Sequence, residues 1–163
     1  MTVTINGSTG IDKVQDGTIV QADLATGVAG TGPAFSAYQS SGQTPSSNTW
    51  TKITFTSEEF DTNANYDTST SRFTPTVAGY YQISASVQFA TANYNVRTSL
   101  YKNGAVVLYG TSSSTGVESF VSGLAYLNGS TDYVEVYATT ATSQATGPGQ
   151  GVVYFQGVLV RAA

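Results

Sequence analysis

The chain has 163 residues, a formal net charge of −4 and only six lysines and arginines. Because these six cations are scattered and form no basic patch, nucleic acid and membrane surfaces are not expected as partners. Cysteine and histidine are both absent. Their absence excludes disulfides, thiol nucleophiles, histidine acid–base chemistry and the usual zinc sites.

The amino-acid composition favours strands over helices. Charged residues make up 10% of the chain, well under the roughly 25% of an ordinary soluble domain. Threonine and serine number 25 and 19, with 11 tyrosines and seven phenylalanines. Threonine, tyrosine and phenylalanine suit a pleated, half-buried surface, whereas good helix formers are scarce. The composition therefore predicts an all-β protein.

Residues 1–32 form a polar, glycine-rich N-terminal arm that precedes the domain of residues 33–163. An arm with so few apolar side chains cannot build a core of its own. We therefore expect neighbouring chains to order it, and its sizeable apolar side chains to act as the anchor on a capsid or another partner. These anchor residues are Ile5, Ile11, Val14, Ile19, Val20 and Leu24.

Residues 33–163 alternate apolar and polar side chains with a period of two, which is typical of half-buried strands. The clearest run places Tyr81, Ile83, Ala85, Val87 and Phe89 on one face. Longer strands are also predicted over residues 96–101, 117–127, 133–138 and 152–160, and shorter ones over 34–38, 50–55 and 72–74. Eight to ten strands at this spacing predict a sandwich or jelly roll.

The dipeptide Asn103-Gly104 separates two of the strand-like runs. Both residue types tolerate the positive φ angles of a type I′ turn, so this dipeptide predicts a β-hairpin. A second turn is predicted at Asn128-Gly129, where the 117–127 run ends.

The last predicted strand is apolar on both of its faces. Val153, Phe155 and Leu159 alternate with a second apolar set, Val152, Tyr154, Val158 and Val160. A strand of this kind is central in its sheet, or packs its outer face against a partner subunit. We therefore expect the second set to lie at a subunit interface.

Four stretches, over residues 33–38, 66–81, 100–104 and 154–160, resemble in order and spacing a family with a trimeric jelly roll. The most recognisable block combines Tyr66-Asp67, Arg72-Phe73-Thr74 and Ala78-Gly79-Tyr80-Tyr81. The family is the globular head of complement component one, subcomponent q, which shares its trimeric jelly roll with tumour necrosis factor. The chain departs from it in having no cysteine and no collagen repeat.

The resemblance implies a jelly-roll β-sandwich of about 8–10 antiparallel strands that forms a homotrimer. Val152, Tyr154, Val158 and Val160 would then lie near the threefold axis. Gly79 would mark the turn into a long strand, and Gly157 a position where another backbone or ring packs closely.

Two stretches of the arm, residues 4–11 and 16–24, resemble segments common in structural proteins of tailed bacteriophages. This resemblance implies a virion protein on the particle surface. The leading hypothesis is a capsid-decorating or cement protein, or a head appendage. Its arm would attach to other virion proteins such as the major capsid protein.

No combination of residues predicts an enzyme or a bound cofactor. Glu58 and Glu59 would point to opposite faces of a strand and so form a poor catalytic pair. No base is positioned by the sequence to activate a serine or threonine. A calcium site from Asp61, Asp67 or Asp132 is left open, although no EF-hand-like spacing supports it.

Aromatic residues raise a second hypothesis, the receptor-binding tip of a phage tail fibre that recognises cell-surface glycans. Tyrosine and tryptophan combine a flat apolar face with a hydrogen-bonding tip, which suits saccharides and protein interfaces alike. A fibre tip would normally end a much longer chain with repeats. The candidate glycan-binding residues are Trp50, Tyr94 and Tyr109, within a wider set that includes Tyr38, Tyr66 and Tyr137.

Overall fold

A computed structural model describes residues 32–91, 95–115 and 117–163. Within these ranges the chain forms eleven strands and no helix, so no described helix could cross a membrane. The strands are β1 (Ala34–Tyr38), β2 (Thr51–Lys52), β3 (Ser57–Asp61), β4 (Tyr66–Asp67), β5 (Arg72–Phe73), β6 (Ala78–Gln88), β7 (Val96–Lys102), β8 (Ala105–Ser113), β9 (Glu118–Asn128), β10 (Val134–Thr139) and β11 (Tyr154–Ala162).

The strands form two antiparallel sheets. Sheet A has the order β3-β1-β11-β6-β9, and sheet B has the order β4-β5-β10-β7-β8, with β2 also paired to β10. The last strand, β11, lies between β1 and β6 at the centre of sheet A. The all-β jelly-roll prediction is confirmed.

The core fills the space between the inner faces of the two sheets. At its centre the Phe35 ring stacks on Phe73 and Tyr66, with centroid distances of 4.3 and 5.1 Å, and meets the edge of Phe155 at 4.8 Å. Phe35, Phe73 and Phe155 are almost fully buried. Full burial stabilises the fold by about 1.5–3 kcal/mol for each such side chain.

The period-two alternation predicts the buried face of β6 correctly. Tyr81, Ile83, Ala85 and Val87 are fully buried on this strand. The prediction over residues 50–55 was too long, since only β2 is a strand there. Ile53 nevertheless donates a backbone hydrogen bond to the carbonyl oxygen of Val136.

Strand β3 was not predicted from the sequence. Its central residues Glu58, Glu59 and Phe60 are all exposed, so it shows no alternation of apolar and polar side chains. The strand forms the edge of sheet A beside β1. Charged side chains on an edge strand discourage pairing with other chains, which accounts for the missing pattern.

The turn predicted at Asn103-Gly104 connects β7 and β8. The φ angles of the two residues are +52° and +79°, so the hairpin prediction is confirmed. Asn103 accepts a hydrogen bond from the backbone N–H of Tyr133 at 3.0 Å and donates from Nδ2 to Asp132 at 2.7 Å. These bonds tie the hairpin to the turn that precedes β10.

The two glycines singled out from the sequence lie where side chains would collide with the core. A Cβ at Gly157 would lie 2.6 Å from Cδ1 of Ile83 and 2.9 Å from Cε1 of Phe35. Gly79 is the second residue of β6, and a Cβ there would lie 2.7 Å from Cδ1 of Leu159. Both positions therefore favour glycine because of close packing in sheet A.

Candidate binding surfaces

The outer face of sheet A carries exposed apolar side chains. On β11, Phe155 and Leu159 are buried, whereas Val158 and Val160 are 46% and 48% exposed. Tyr154 is half-buried in the same strand and pairs with Ser86 of β6. The alternation of β11 therefore places three of the four predicted interface residues outside the core.

Val152 lies just before β11 rather than within it, and its place at a subunit interface stays a prediction. It precedes β11 and packs partly against the hydrophobic core. The backbone N–H groups of Val152 and Val153 both donate to the carbonyl oxygen of Gly149, at 3.2 and 3.0 Å. Val153 is nevertheless fully buried, like Phe155 two residues later.

Neighbouring strands enlarge the exposed area around β11. Tyr80 on β6 pairs with Tyr126 on β9, and their ring centroids are 5.5 Å apart. Leu124 on β9 is 66% exposed. The sequence analysis did not identify these residues. Their spacing of two residues along a strand, on the side away from the core, could have indicated an exposed apolar face. We call this surface the apolar face, and it comprises Phe60, Tyr80, Leu124, Tyr126, Val158 and Val160.

A second, unlike apolar patch lies where β8 and β9 form the edges of the two sheets. We call the exposed Val106 and Val107 of β8 the edge patch. Phe120 of β9 is also exposed, but it lies on the same outward row as Leu124 and Tyr126 and extends the apolar face. Ser119 of β9 connects this strand to β8, because its hydroxyl donates to the carbonyl oxygen of Thr111 at 2.6 Å. The same hydroxyl accepts from the backbone N–H of Thr98 at 2.7 Å.

Aromatic side chains gather on the outer face of sheet B. Tyr101 and Tyr137 stack with centroids 4.1 Å apart and planes inclined by 29°. The Trp50 indole lies 5.7 Å from the Tyr109 ring and 6.5 Å from the Tyr101 ring. We call these four residues the aromatic cluster. The fold thus brings together two of the three candidate glycan-binding residues, Trp50 and Tyr109.

The other aromatic candidates do not belong to this cluster. Tyr66 is a core residue, which corrects its place among the binding candidates, and its hydroxyl donates to the carbonyl oxygen of Phe55 at 2.9 Å. Burial raises the pKa of Tyr66. Tyr38 lies on β1 in sheet A. Tyr94 lies outside the described residues, so its assignment stays a prediction.

Two arginines lie over tyrosine rings on the outer face of sheet B. The guanidinium carbon of Arg97 is 4.2 Å from the Tyr109 centroid, and that of Arg72 is 4.1 Å from the Tyr133 centroid. Such cation–π contacts are strongest where water is excluded. The Nε atom of Arg97 is buried and has no hydrogen-bond partner among the residues that the structure describes.

A buried carboxylate lies among these residues. Glu135 on β10 is 1% exposed and accepts hydrogen bonds from Lys52 and from Nε of Arg72, the latter at 2.8 Å. Desolvation opposes the ionisation of Glu135, but the hydrogen bonds and positive charges of Lys52 and Arg72 outweigh it. They lower the pKa of the Glu135 carboxyl group.

The carboxylates considered for calcium are each engaged within the fold. Asp61 accepts from the backbone N–H of Tyr66 at 2.6 Å. Hydrogen bonds from Ser69 and Thr70 lower the pKa of Asp67 to about 2. Asp132 forms an ion pair with Lys102 at 2.7 Å, which lowers its pKa. In the ranges that the structure describes, no group of three or more acidic residues is arranged to hold a metal ion.

The predicted anchor of the N-terminal arm lies outside the described residues. It stays a prediction for all six of its members, which are Ile5, Ile11, Val14, Ile19, Val20 and Leu24.

Comparison with known proteins places the domain within one family. The family model of the C1q domain matches residues 34–160. No curated protein matches the chain in sequence.

Several solved structures share the fold. The crystal structure of murine APRIL at pH 8.0 has a TM-score of 0.64 and 10% identity, covering 78% of this chain and 98% of that chain. The globular domain of zebrafish complement 1qA protein has a TM-score of 0.60 and 21% identity, covering 80% and 99%. Eiger TNF from S. frugiperda has a TM-score of 0.61 and 14% identity, covering 80% and 93%. These likenesses show the fold, and the match over residues 34–160 shows that the chain belongs to the C1q domain family.

Proposed function

We propose that the chain forms a homotrimer through its C1q domain and acts as a non-enzymatic structural protein of a bacteriophage particle. Domains of the C1q and tumour necrosis factor type are typically ligand-binding or structural rather than enzymatic. The proposal of a ring-shaped assembly is supported by one observation, that the domain exposes both the apolar face and the edge patch.

These two surfaces differ in residues and in position. The apolar face covers the outside of sheet A, whereas the edge patch lies on β8 at the edge of sheet B. A twofold dimer pairs the same patch on both subunits, whereas a closed ring pairs two different patches. Monomeric proteins rarely expose large contiguous apolar areas. Two unlike apolar surfaces therefore favour a closed ring, and similar proteins such as APRIL and C1q, which are trimers, suggest three subunits.

Two complementary variants test this arrangement. Leu124→Asp places a charge in the apolar face, and Val107→Asp places one in the edge patch. Each variant alone should be monomeric by native mass spectrometry, because both sides of every ring contact are needed. Mixing the two variants should restore one intact contact and give a 1:1 dimer that cannot close. A Val107→Asp variant that stays trimeric would show that the edge patch is not part of the interface.

The virion assignment rests on the arm. Residues 4–11 and 16–24 resemble segments of phage structural proteins, and residues 1–32 are too polar to build a core. In this proposal the arm docks on the capsid shell, with the major capsid protein as partner, and the trimer decorates or cements the particle surface. A few buried apolar anchor residues suffice, since each contributes roughly 1.5–3 kcal/mol before ordering costs.

Immunogold electron microscopy of intact particles tests this location. Antibodies against residues 33–163 should label the capsid surface at regular positions. Label confined to the tail tip would favour the fibre alternative, and particles without label would contradict a virion role.

Glycan recognition is the second candidate function, because the aromatic cluster brings Trp50 and Tyr109 together on an outer face. That face lies on the opposite side of the sandwich from the apolar face. The proposed ring contact at the edge patch uses β8, which also carries Tyr109, so ligand binding is tested on the assembled protein.

A further inference from the structure

The aromatic cluster is separate from the hydrophobic core. Trp50 lies just before β2, the short strand that pairs with β10. Tyr101 lies on β7, and Tyr109 lies on the edge strand β8. Their side chains lie on the outer face of sheet B, and Tyr109 is 48% exposed. Such rings offer a flat apolar surface with hydroxyl and indole N–H groups at its rim. A pyranose ring, with an apolar face and polar edges, matches this surface.

Arg97 adds a positive charge at the side of this surface. It lies on β7 and its guanidinium group covers one face of the Tyr109 ring at 4.2 Å. Among the described residues, Lys52 and Arg72 pair with Glu135, and Lys102 pairs with Asp132, but no ion pair involves Arg97. Its buried Nε atom also has no acceptor. Within the described part of the chain, the half-buried Arg97 guanidinium group therefore has no counter-ion and lies beside the exposed rings.

We infer that this surface binds a saccharide that carries a carboxylate, with a sugar ring on Trp50 and Tyr109 and the carboxylate on the terminal nitrogens of Arg97. Guanidinium groups bind carboxylates through paired, charge-assisted hydrogen bonds, which are stronger than neutral ones. A nucleic acid does not fit, because the chain has a net charge of −4 and its other cations on this face share Glu135. The inference rests on the glycan-binding candidate and deepens it.

Trp50 is the single tryptophan of the chain, so its fluorescence reports directly on this site. The full chain is titrated with tetragalacturonate and, as a matched neutral ligand, with the methyl ester of the same oligosaccharide. Tetragalacturonate should give a saturable change in emission, and the ester should bind about tenfold more weakly because it lacks the charge. Raising the salt concentration should weaken only the binding of the acid.

Variants assign the two parts of the site. Arg97→Gln should weaken tetragalacturonate binding about tenfold and leave ester binding unchanged, whereas Tyr109→Ala should weaken both. Arg161→Gln is the control, because Arg161 is exposed on β11 in sheet A and should not affect either ligand. Circular dichroism verifies that each variant is folded.

The outcomes separate the inference from the broader glycan-binding function. Equal binding of acid and ester would overturn recognition of the carboxylate while keeping a saccharide site. If neither ligand changed the Trp50 emission, and a panel of acidic and neutral saccharides also failed, both the inference and glycan binding would be wrong. The aromatic cluster would then be a candidate surface for protein partners instead.

Discussion

The Nε atom of Arg72 donates a 2.8 Å hydrogen bond to Oε1 of Glu135, the same oxygen atom that accepts from Lys52. Arg72 lies on β5 and Lys52 on β2, which pair with successive parts of β10, and Glu135 lies on β10 between these two pairing positions. The two short strands pair with β10 at only one and two positions respectively. The shared carboxylate therefore supplements a small number of backbone contacts and holds both short strands in sheet B.

We expect Glu135→Gln to destabilise the domain, because Lys52 and Arg72 would lose their shared negative partner. Breaking a fully buried ion pair costs about 3–5 kcal/mol. The side chains of Lys52 and Arg72 stay 26% and 40% exposed, so we expect a smaller loss of about 1–3 kcal/mol. Urea unfolding measures the change. Glu59→Gln, on the exposed edge strand β3, should stay within about 0.5 kcal/mol of the parent protein.

The same carboxylate should make stability depend on pH. Because the pKa of Glu135 is lower in the folded chain than its ordinary value of 4.5, the unfolded chain takes up the proton more readily. Its stabilising contribution is therefore complete above pH 4.5 and is lost as the pH falls through the folded-state pKa. Unfolding curves between neutral pH and pH 3 should show a smaller acid-induced loss in Glu135→Gln than in the parent protein. An identical loss in both would contradict this role.

Val158→Asp should dissociate the proposed trimer without unfolding the monomer. The side chain is 46% exposed on the outer face of β11, so an aspartate there is solvated in the free subunit. In the trimer it would place an unpaired charge in an apolar contact, which is strongly unfavourable. Light scattering gives the mass of the assembly, and Ser41→Asp in an exposed loop is the matched control. A Val158→Asp trimer of full stability would exclude the apolar face as the interface.

Gly157→Ala should destabilise the domain by about 1–3 kcal/mol, the usual cost of overpacking a core. The new Cβ would lie 2.6 Å from Ile83 and 2.9 Å from Phe35, closer than van der Waals contact allows. Gly151→Ala offers a matched comparison, since a Cβ there meets no atom within 4 Å. Thermal unfolding should separate the two variants clearly. Equal melting temperatures would mean that sheet A is packed differently around β11.

Two substitutions at Asn103 should separate its backbone and side-chain roles. Asn103→Ala loses the hydrogen bonds to Asp132 and Tyr133 and also strains the φ angle of +52°. Asn103→Gly loses the same hydrogen bonds but tolerates the turn. We expect alanine to be less stable than glycine by about 1 kcal/mol, the steric cost of a left-handed residue. Urea unfolding of both variants measures the difference, and equal stabilities would contradict a strained turn.

The sequence by itself determined the features that depend on neighbouring residues. The period of two places Phe155 and Leu159 on one face of β11 and Val158 on the other, because successive side chains of a strand point to opposite faces. The dipeptide Asn103-Gly104 determines its turn because both residues accept positive φ. These constraints act within a few residues of each other, so they can be read along the chain.

Tertiary structure alone decided which distant residues meet. Trp50 and Tyr66 are both aromatic binding candidates in the sequence. In the structure, Tyr66 lies in the core, whereas Trp50 lies beside Tyr109 on the outside of sheet B. Likewise, the partners of Glu135 are 83 and 63 residues away in the chain. The order and register of strands bring such residues together, and both are decided by how the two sheets close around a shared core. No local pattern encodes them.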